Sequence, residues 1–357
     1  MLIYVYPKNL NSNIKLKNFA KKNYLAKIKT TMDKNKLGKT DIYVTPVGMG
    51  VLTIGSTQLD LPTRDGASVI RYALEKGINF LDTAEYYRTY PQIKSALDDL
   101  GSSFSQNSLP YPVIASKTLA YDRKGMKRAI EECRKALDLD QIDIFLLHEV
   151  REQPDFGSKK GAWEYLLEAR AKGHVKAVGI STHHSDVAAD AADDPDMDIL
   201  FPLINFKGLG IRKGSGPGSK EEMAGAIEKA AQKGIGIFTM KAFGGGNLIG
   251  DYKKALDFVR TIQGVTSIMV GMGSCRDVDD AVSWAEGRLP EDFVPETANK
   301  RMFVDRGDCE GCGACVSRCT SKAIRLDTER IAVIDNEKCV LCGYCSPVCP
   351  VRALIML

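Results

Sequence analysis

The chain has 357 residues, 44% of them hydrophobic, and a formal net charge of +4, which suits one large globular domain and one small one. No run of about 18 apolar residues occurs, so no transmembrane helix is predicted. Seven lysines and no acidic residue lie in residues 1–31. The remainder is therefore slightly acidic, and we expect neither a nucleic-acid nor a membrane partner.

Residues 1–31 form a basic leader that fits no targeting signal. An apolar start precedes the charges, whereas a secretory signal has the opposite order, and the arginine typical of transit peptides is absent from this stretch. We interpret the leader as a mis-assigned start or a disordered extension, with Met32 opening the functional chain. The polar turn at Leu37–Thr40, followed by Ile42–Val44, predicts a hairpin before the first long strand.

Short apolar runs then alternate with stretches in which apolar residues recur near a 3.6-residue period. The predicted strands are Val47–Leu52, Asn79–Leu81, Val113–Ser116, Ile142–Leu147, Val175–Ile180, Leu200–Asn205, Gly236–Met240 and Thr266–Val270. The predicted helices are Asp65–Lys76, Gly125–Leu137, Gly161–Ala171, Lys220–Lys233 and Tyr252–Thr261. Strict alternation predicts an α/β fold, a (β/α)8 TIM barrel at residues 32–295. A doubly wound open sheet is the alternative, disfavoured because no GxGxxG follows the first strand.

Polar residues follow the second to fifth predicted strands. In a barrel of this kind, chemistry occurs at the carboxyl ends of the strands. Because consecutive strand ends are neighbours, these residues would meet at one rim and could give a proton to a bound carbonyl. They are Asp82 and Tyr87, Lys117, His148, and the Ser181-Thr182-His183 segment.

These motifs resemble the aldo-keto reductase family over about residues 37–288. Asp82 and Tyr87 fit its DTAxxY motif, Lys117 fits the end of the third strand, and His148 closes a segment that begins at Asp143. The resemblance implies that Tyr87 is the general acid and that the Lys117 ammonium lowers the phenol pKa. It also implies that Asp82 keeps Lys117 charged and that His148 positions the substrate carbonyl.

Several positions depart from the family pattern. Thr182 stands where an asparagine often holds the nicotinamide carboxamide, Phe201 where a glutamine is frequent, and Met240-Lys241 where a tyrosine commonly stacks on the ring. Met240-Lys241 and His183 resemble instead the ferredoxin-fused branch of the family. Arg88-Thr89-Tyr90 replaces the usual glycine after the tyrosine, and we expect this segment to crowd the substrate mouth.

The resemblance makes NAD(P)H a possible cofactor. A flavin is a second possibility, because it can convert a hydride into the single electrons that each cluster accepts, and a barrel without a nucleotide is a third. Glycine-rich loops at Gly208–Gly218 and Phe243–Gly246 could cradle phosphate, since phosphate sites in barrels favour late loops. Neither NAD, NADP nor flavin is favoured by a named motif. The predicted nucleotide contacts are Ser181, Thr182, Gly244, Gly245, Ser274 and Arg276.

Two cysteine runs mark residues 300–357 as a second domain. They are Cys309-x2-Cys312-x2-Cys315-x3-Cys319 and Cys339-x2-Cys342-x2-Cys345-x3-Cys349. Zinc is one metal that such cysteines could bind, but it prefers four donors in two separated pairs. A thirty-residue offset indicates duplicated halves, about 300–329 and 330–357.

The runs resemble bacterial-type two-cluster ferredoxins, in which the last cysteine of each run serves the other cluster. The resemblance implies two 4Fe-4S clusters. Cluster I would use Cys309, Cys312, Cys315 and Cys349, and cluster II would use Cys319, Cys339, Cys342 and Cys345. Thr320 departs from the pattern because it replaces the proline that Pro350 provides in the second run.

The two domains together predict an iron–sulfur oxidoreductase that links carbonyl or alcohol chemistry to one-electron transfer. The expected partners are a small carbonyl or alcohol substrate and a ferredoxin-like electron-transfer protein, and the expected compartment is the cytoplasm. An alternative is an electron-transfer protein whose barrel only docks a partner. A conventional NAD(P)H aldehyde reductase with structural clusters is a third hypothesis.

Overall fold

The structure is a computed structural model that describes residues 32–56, 58–106, 108–151, 157–296, 301–339, 345–346, 348–351 and 353–356. The interpretation of residues 1–31 lies outside these ranges. The described chain opens with an antiparallel hairpin of β1 (Asn35–Lys36) and β2 (Tyr43–Val44). Leu37, Ile42 and Val44 are buried at its base, as the sequence predicted for a hairpin before the first barrel strand.

The next strands close into a parallel barrel. The first six strands of the barrel are β3 (Val47–Gly50), β4 (Phe80–Asp82), β5 (Val113–Thr118), β6 (Ile142–Leu147), β7 (Val175–Thr182) and β8 (Ile199–Pro202). A small hairpin follows, β9 (Arg212–Lys213) with β10 (Gly216–Pro217), and then β11 (Gly236–Thr239) and β12 (Val265–Gly271). Because β12 pairs with β3, the sheet closes in the order β11-β12-β3-β4-β5-β6-β7-β8, which excludes the open doubly wound sheet.

Helices surround the barrel strands on the outside. They are α1 (Thr63–Glu75), α2 (Tyr90–Asp99), α3 (Gly101–Ser105), α4 (Arg123–Leu137), α5 (Lys160–Ala171), α6 (Ser185–Ala191), α7 (Lys220–Gln232), α8 (Tyr252–Thr261) and α9 (Cys275–Ala285). Local sequence signals account for the start of two of these helices. Asp122 caps α4, and Ser219 with Glu222 forms a capping box on α7. Within the described residues, no helix is both long and apolar enough to cross a bilayer.

Apolar side chains fill the barrel, so the interior is a packed core and not a pore. Phe201 stacks on Phe238 with ring centroids 4.1 Å apart, and Phe80 meets Phe238 edge-on at 4.9 Å. This inner cluster also contains Ala115, Ile144, Leu146, Ala177, Ile199 and Met269. The packed interior leaves the carboxyl rim of the strands as the place for a site.

The cysteine-rich domain repeats one unit twice. Its elements are β13 (Met302–Val304), the short α10 (Ala314–Arg318), β14 (Ile324–Leu326), β15 (Ala332–Ile334) and β16 (Leu354–Met356). The first and last strands, β13 and β16, pair antiparallel, and so do the two strands between them in the chain, β14 and β15. The offset between equivalent strands equals that between the cysteine runs, so the predicted duplication is present in the fold.

Candidate active site at the barrel rim

A buried ion pair forms the base of the site. Asp82 ends β4 and Lys117 lies in β5, and Lys117 Nζ donates to Asp82 Oδ1 at 2.6 Å and to the Thr83 carbonyl at 2.8 Å. Lys117 is 1% exposed. Burial raises the pKa of Asp82 and lowers the pKa of Lys117, while the attraction between the two charges opposes both shifts.

Tyr87 and His148 lie above this pair. Tyr87 ends a 3-10 turn after β4, and the Lys117 ammonium is 4.6 Å from its ring centroid. His148 follows β6 and meets Tyr87 edge-on, with ring centroids 5.6 Å apart. Among the described residues, the buried His148 Nδ1 has no hydrogen-bond partner. The four residues of the predicted tetrad therefore lie together at one rim.

The pKa of Tyr87 departs from the sequence-based expectation. Burial raises the pKa of Tyr87 well above its usual value of 10.0, and the charges of Asp82, Asp305, Asp308 and Glu149 raise it further. Two of these carboxylates belong to the cysteine-rich domain. A raised pKa makes the phenol a weaker acid, so its proton moves only to an oxygen on which negative charge develops.

The segment after Tyr87 does not crowd the mouth as expected. Thr89 is buried and its hydroxyl lies 2.8 Å from that of Thr83, and the Tyr90 hydroxyl lies 2.8 Å from that of Ser116. Both side chains therefore point into the barrel body, and only Arg88, in the left-handed backbone region at φ 55°, is exposed. This turn directs the bulky residues away from the substrate side.

A cleft of about 200 Å³ opens beside the tetrad. Asp82 and Tyr87 line it at one end, and Gly273 and Asp277 line it near the start of α9. The cysteine-rich domain contributes Asp305, Ile355 and Met356 to its wall. The barrel contributes Gly50, Leu52, Thr53, Gln58, Leu59, Phe201, Met240, Lys241, Ala242, Phe243, Gly245, Gly246, Ile249, Tyr252, Met269, Val270 and Gly271. The cleft is therefore shared by both domains.

A charged seam joins the barrel rim to the loop before the first cysteine. Lys241 Nζ donates to Asp308 Oδ2 at 2.6 Å, and Arg151 donates to Glu149 Oε1 at 2.8 Å. Possible ligand atoms of Glu149, His183 and Asp308 lie within 4.8 Å of one another. Glu149 and Lys241 both adopt positive φ, 54° and 58°, a conformation that costs about 1–2 kcal/mol outside glycine. With these backbone conformations, the side chains of Glu149 and Lys241 both point towards Asp308.

The four cysteines assigned to cluster I line one cavity. Cys309, Cys312, Cys315 and Cys349 face it together. The backbone amides of Ala332 and Ala353 lie 3.5 and 3.3 Å from the sulfurs of Cys309 and Cys349. Four thiols around an enclosed space, with N–H groups directed at sulfur, fit a four-iron cluster.

The second set of cysteines is described in part. Cys319, Cys339 and Cys345 lie in the described residues, and Cys342 lies outside them. The amide of Ala323 donates to Cys319 Sγ at 3.2 Å, as the amide of Ala353 does to Cys349 in the other half. The assignment of cluster II therefore stays a prediction from the cysteine spacing.

The predicted nucleotide contacts are spread along the rim, and most are already hydrogen-bonded. Ser181 Oγ accepts from the Glu149 amide at 2.9 Å, and Thr182 Oγ1 donates to the Val150 carbonyl at 2.7 Å. The Gly244 amide donates to the Lys241 carbonyl at 2.8 Å. Ser274 caps α9, and Arg276 forms an ion pair with Glu296. Gly245 is the member of the set that lines the cleft.

Sequence reasoning missed the residues that join the domains. Asp305, Asp308, Met356 and Glu149 were not among the predicted site residues. A usable signal existed for Asp308, which immediately precedes Cys309. No local pattern indicates that it reaches Lys241.

A closed parallel barrel with Asp, Tyr, Lys and His at its rim, joined to a duplicated cysteine-rich domain, defines a fused oxidoreductase-type architecture. Family models agree with that class. The model of the aldo/keto reductase family matches residues 46–263, and the model of the 4Fe-4S dicluster domain matches residues 302–357. Since the first match spans more than half of the chain, the protein belongs to the aldo/keto reductase family, and it ends in a 4Fe-4S dicluster domain.

Individual relatives are distant. An aldo-keto reductase of Mycobacterium avium is 29% identical over 161 residues, covering 44% of this chain and 51% of that protein. L-galactose dehydrogenase of Arabidopsis thaliana is 23% identical over 295 residues, covering 71% of this chain and 88% of that protein. The chain thus spans about half the length of the mycobacterial relative.

Solved structures share the barrel. A putative aldo-keto reductase from Pseudomonas aeruginosa superposes with a TM-score of 0.59 at 22% identity, covering 74% of this chain and 99% of that structure. At this level of identity the likeness establishes the fold alone.

Proposed function

We propose that this protein is an iron–sulfur oxidoreductase that interconverts a small carbonyl compound and its alcohol, exchanging electrons through two 4Fe-4S clusters. The observation that carries the proposal is the shared cleft. It is lined at once by Asp82 and Tyr87 of the tetrad and by Asp305 and Met356 of the cysteine-rich domain. A barrel kept only as a docking scaffold would have no need of the buried Asp82–Lys117 pair.

The tetrad residues have distinct roles in the reductive direction. Tyr87 gives its proton to the carbonyl oxygen as negative charge develops there. The Lys117 ammonium, 4.6 Å from the phenol ring centroid, stabilises the phenolate that remains. Asp82 holds Lys117 in place through a 2.6 Å hydrogen bond, and His148, whose ring meets that of Tyr87 edge-on, would orient the substrate oxygen.

Electron balance requires two electrons and two protons for each carbonyl that becomes an alcohol. Clusters held by the two cysteine sets would each supply one electron, so two of them would match this demand. Tyr87 supplies one proton and solvent supplies the other. The Lys241–Asp308 ion pair ties the barrel rim to the loop that carries Cys309.

The clusters would be reloaded by a small electron-transfer protein of the ferredoxin class. Thiolate-held clusters suit a reducing compartment, so the cytoplasm is the proposed location. NAD(P)H or a flavin would supply the same electrons, but either would need a place for its phosphates near the Gly245–Gly246 loop. The relative named L-galactose dehydrogenase supports a substrate at the alcohol or aldehyde level.

Tyr87→Phe tests the proposal. Anaerobically purified protein, reduced with dithionite or reduced ferredoxin, is mixed with small aldehydes, and alcohol formation and cluster reoxidation are followed together. The variant should lose activity by roughly 10²–10⁴-fold because phenylalanine has no proton to give. Iron and sulfide content should equal that of the wild type.

Tyr86→Phe is the matched control. It removes a phenol one residue away that is 37% exposed, and it should keep wild-type turnover. Equal turnover in wild type and Tyr87→Phe would show that the rim site is unused. The electron-carrier alternative would then replace the proposal.

A further inference from the structure

The strand at the end of the cysteine-rich domain covers the loop predicted to cradle phosphate. The Met356 amide donates to the Gly245 carbonyl at 2.8 Å, and Asn247 Nδ2 donates to the Leu354 carbonyl at 3.2 Å. A Cβ added to Gly246 would lie 2.2 Å from the Met356 carbonyl oxygen, and one added to Gly245 would lie 2.7 Å from Ile355. The glycines therefore admit the close approach of β16, which takes the space that a diphosphate would need.

The second candidate phosphate position is also engaged. The Asp277 carboxylate accepts from the Gly273 amide at 3.0 Å and from the Ser274 hydroxyl at 3.0 Å, at the start of α9. Arg276 pairs with Glu296. The donors that would hold a phosphate at this helix start thus serve the chain's own carboxylate.

The charge of the cleft opposes anions. Among the described residues that line it, the carboxylates are Asp277, Asp305 and Asp82, the last already paired with Lys117, whereas Lys241 is the single cation and is already bound to Asp308. A dinucleotide or a flavin mononucleotide brings at least two negative charges. In a partly buried cleft this repulsion is screened far less than at the surface.

Two polar groups in the same cleft have no partner within the described chain. Tyr252 is 4% exposed and its hydroxyl makes no hydrogen bond, and the buried Gln58 Oε1 makes none either. Both residues line the cleft. Buried polar atoms normally find a partner, so these two are suited to the hydroxyl groups of a bound ligand.

Building on the proposed function, we propose that the cleft takes a compact, uncharged, hydroxyl-bearing aldehyde, ketone or alcohol and excludes NAD(P)H and flavin mononucleotide. Tyr252 and Gln58 bind the substrate hydroxyls, and Ile355 and Met356 of β16 replace the nucleotide as one wall. The size agrees, since about 200 Å³ is below the roughly 300–1,000 Å³ of sites for drug-sized ligands.

Direct binding to the anaerobic full-length holoprotein tests this assignment without relying on turnover. NADH, NADPH and flavin mononucleotide should show no saturable binding in equilibrium dialysis up to about 1 mM. In calorimetric titrations, glyceraldehyde should bind more tightly than glyceraldehyde 3-phosphate. Tyr252→Phe should weaken glyceraldehyde binding about fivefold to tenfold, the effect of one lost hydrogen bond. The same variant should leave the binding of butanal unchanged.

Tyr43→Phe is the matched control, because Tyr43 lies in the hairpin at the opposite end of the barrel and is 50% exposed. Micromolar binding of any of the three nucleotides would overturn the exclusion. Binding of the phosphorylated probe as tight as that of glyceraldehyde, no detectable glyceraldehyde binding, or an unchanged affinity in Tyr252→Phe would overturn the substrate class. If any of these binding results is obtained while turnover still depends on Tyr87, the proposed function stands. If turnover does not depend on Tyr87, the proposed function is wrong, and the binding assignment is judged separately.

Discussion

Asp82 and Lys117 illustrate how a single buried pair supports both the fold and the site. Their side chains are 7% and 1% exposed and are joined at 2.6 Å. Such a pair adds little net stability as long as both partners are present. Removing one partner leaves an unpaired buried charge, which typically costs about 3–5 kcal/mol.

Lys117→Met should therefore lower the free energy of unfolding by about 3–5 kcal/mol and abolish carbonyl reduction. Stability follows from equilibrium denaturation in anaerobic buffer. The double variant Lys117→Met/Asp82→Asn should recover most of the stability, since no charge is then left unpaired, without recovering activity. A single variant as stable as the wild type would contradict a buried, ionised Asp82.

Glu149 predicts a pH dependence of stability. Burial, and then the neighbouring Asp308, raise the pKa of Glu149 from 4.5 to about 7. Because the folded state binds this proton more tightly, the resulting stabilisation is complete below about pH 4.5 and is lost as the pH rises through about 7. Glu149→Gln keeps a neutral group at every pH. The melting temperature of the variant minus that of the wild type should thus increase across this interval.

Thermal melts at a series of pH values check this expectation. The exposed Glu131, whose side chain is 56% accessible, provides the control Glu131→Gln, which should follow the wild-type profile. Parallel profiles for Glu149→Gln and wild type would show that Glu149 titrates normally.

At the scale of elements, the contact between the Gly244–Gly246 loop and β16 joins the two domains. Gly246 has φ 85°, and an added Cβ would lie 2.2 Å from the Met356 carbonyl oxygen. Gly246→Ala should therefore destabilise the protein on the order of 2–3 kcal/mol and displace β16. Since β16 follows Cys349, the displaced strand should also make the iron–sulfur content more sensitive to air.

Gly250→Ala is the matched control, because a Cβ added there meets nothing within 4 Å. It lies a few residues along the same loop and should behave as the wild type in denaturation and in iron retention. Equal air sensitivity of both variants and wild type would indicate that β16 does not depend on the glycine loop.

An element could be predicted from the sequence when the interactions that define it join residues close together in the chain. Parallel barrel strands are buried on both faces, so they appear as continuous apolar runs, and all eight predicted strands overlap observed ones. The ends of the predicted strands were less accurate than their positions. The strand predicted at Leu200–Asn205 ends at Pro202, although Leu203 still bridges Met240 beyond that point. The tetrad was accessible because its members follow strand ends in a recognisable order.

The seam between the domains was not accessible from local sequence. The Lys241–Asp308 and Gly245–Met356 contacts join positions far apart in the chain. A glycine-rich loop also has the same sequence pattern whether it cradles a phosphate or accepts a strand. The raised pKa of Tyr87 was missed for the same reason, because burial, its largest cause, and the contributing charges of Asp305 and Asp308 in the other domain both depend on tertiary contacts.

For the whole molecule, the Lys241–Asp308 pair offers a way to separate barrel chemistry from cluster assembly. The two side chains are 20% and 9% exposed and are joined at 2.6 Å. Lys241→Met leaves the Asp308 carboxylate buried without its cation, which should loosen the loop that carries Cys309 from the barrel rim. We expect both clusters to remain and to be reduced by dithionite at the wild-type rate. Their reoxidation by substrate should slow about tenfold or more, as expected for a lost contact of about 1.4 kcal/mol.

Stopped-flow absorbance of the clusters, with reductant and then aldehyde added in separate syringes, distinguishes the two steps. Lys253→Met is the matched control, because Lys253 is 23% exposed and pairs with Asp257 at the same 2.6 Å but lies on α8, away from the seam. The double variant Lys241→Met/Asp308→Asn should be less impaired than the sum of the single variants, with a coupling of about 0.5–3 kcal/mol. Wild-type reoxidation in Lys241→Met would mean that electrons reach the cleft without this contact, leaving the β16 edge as the connection between cluster I and Tyr87.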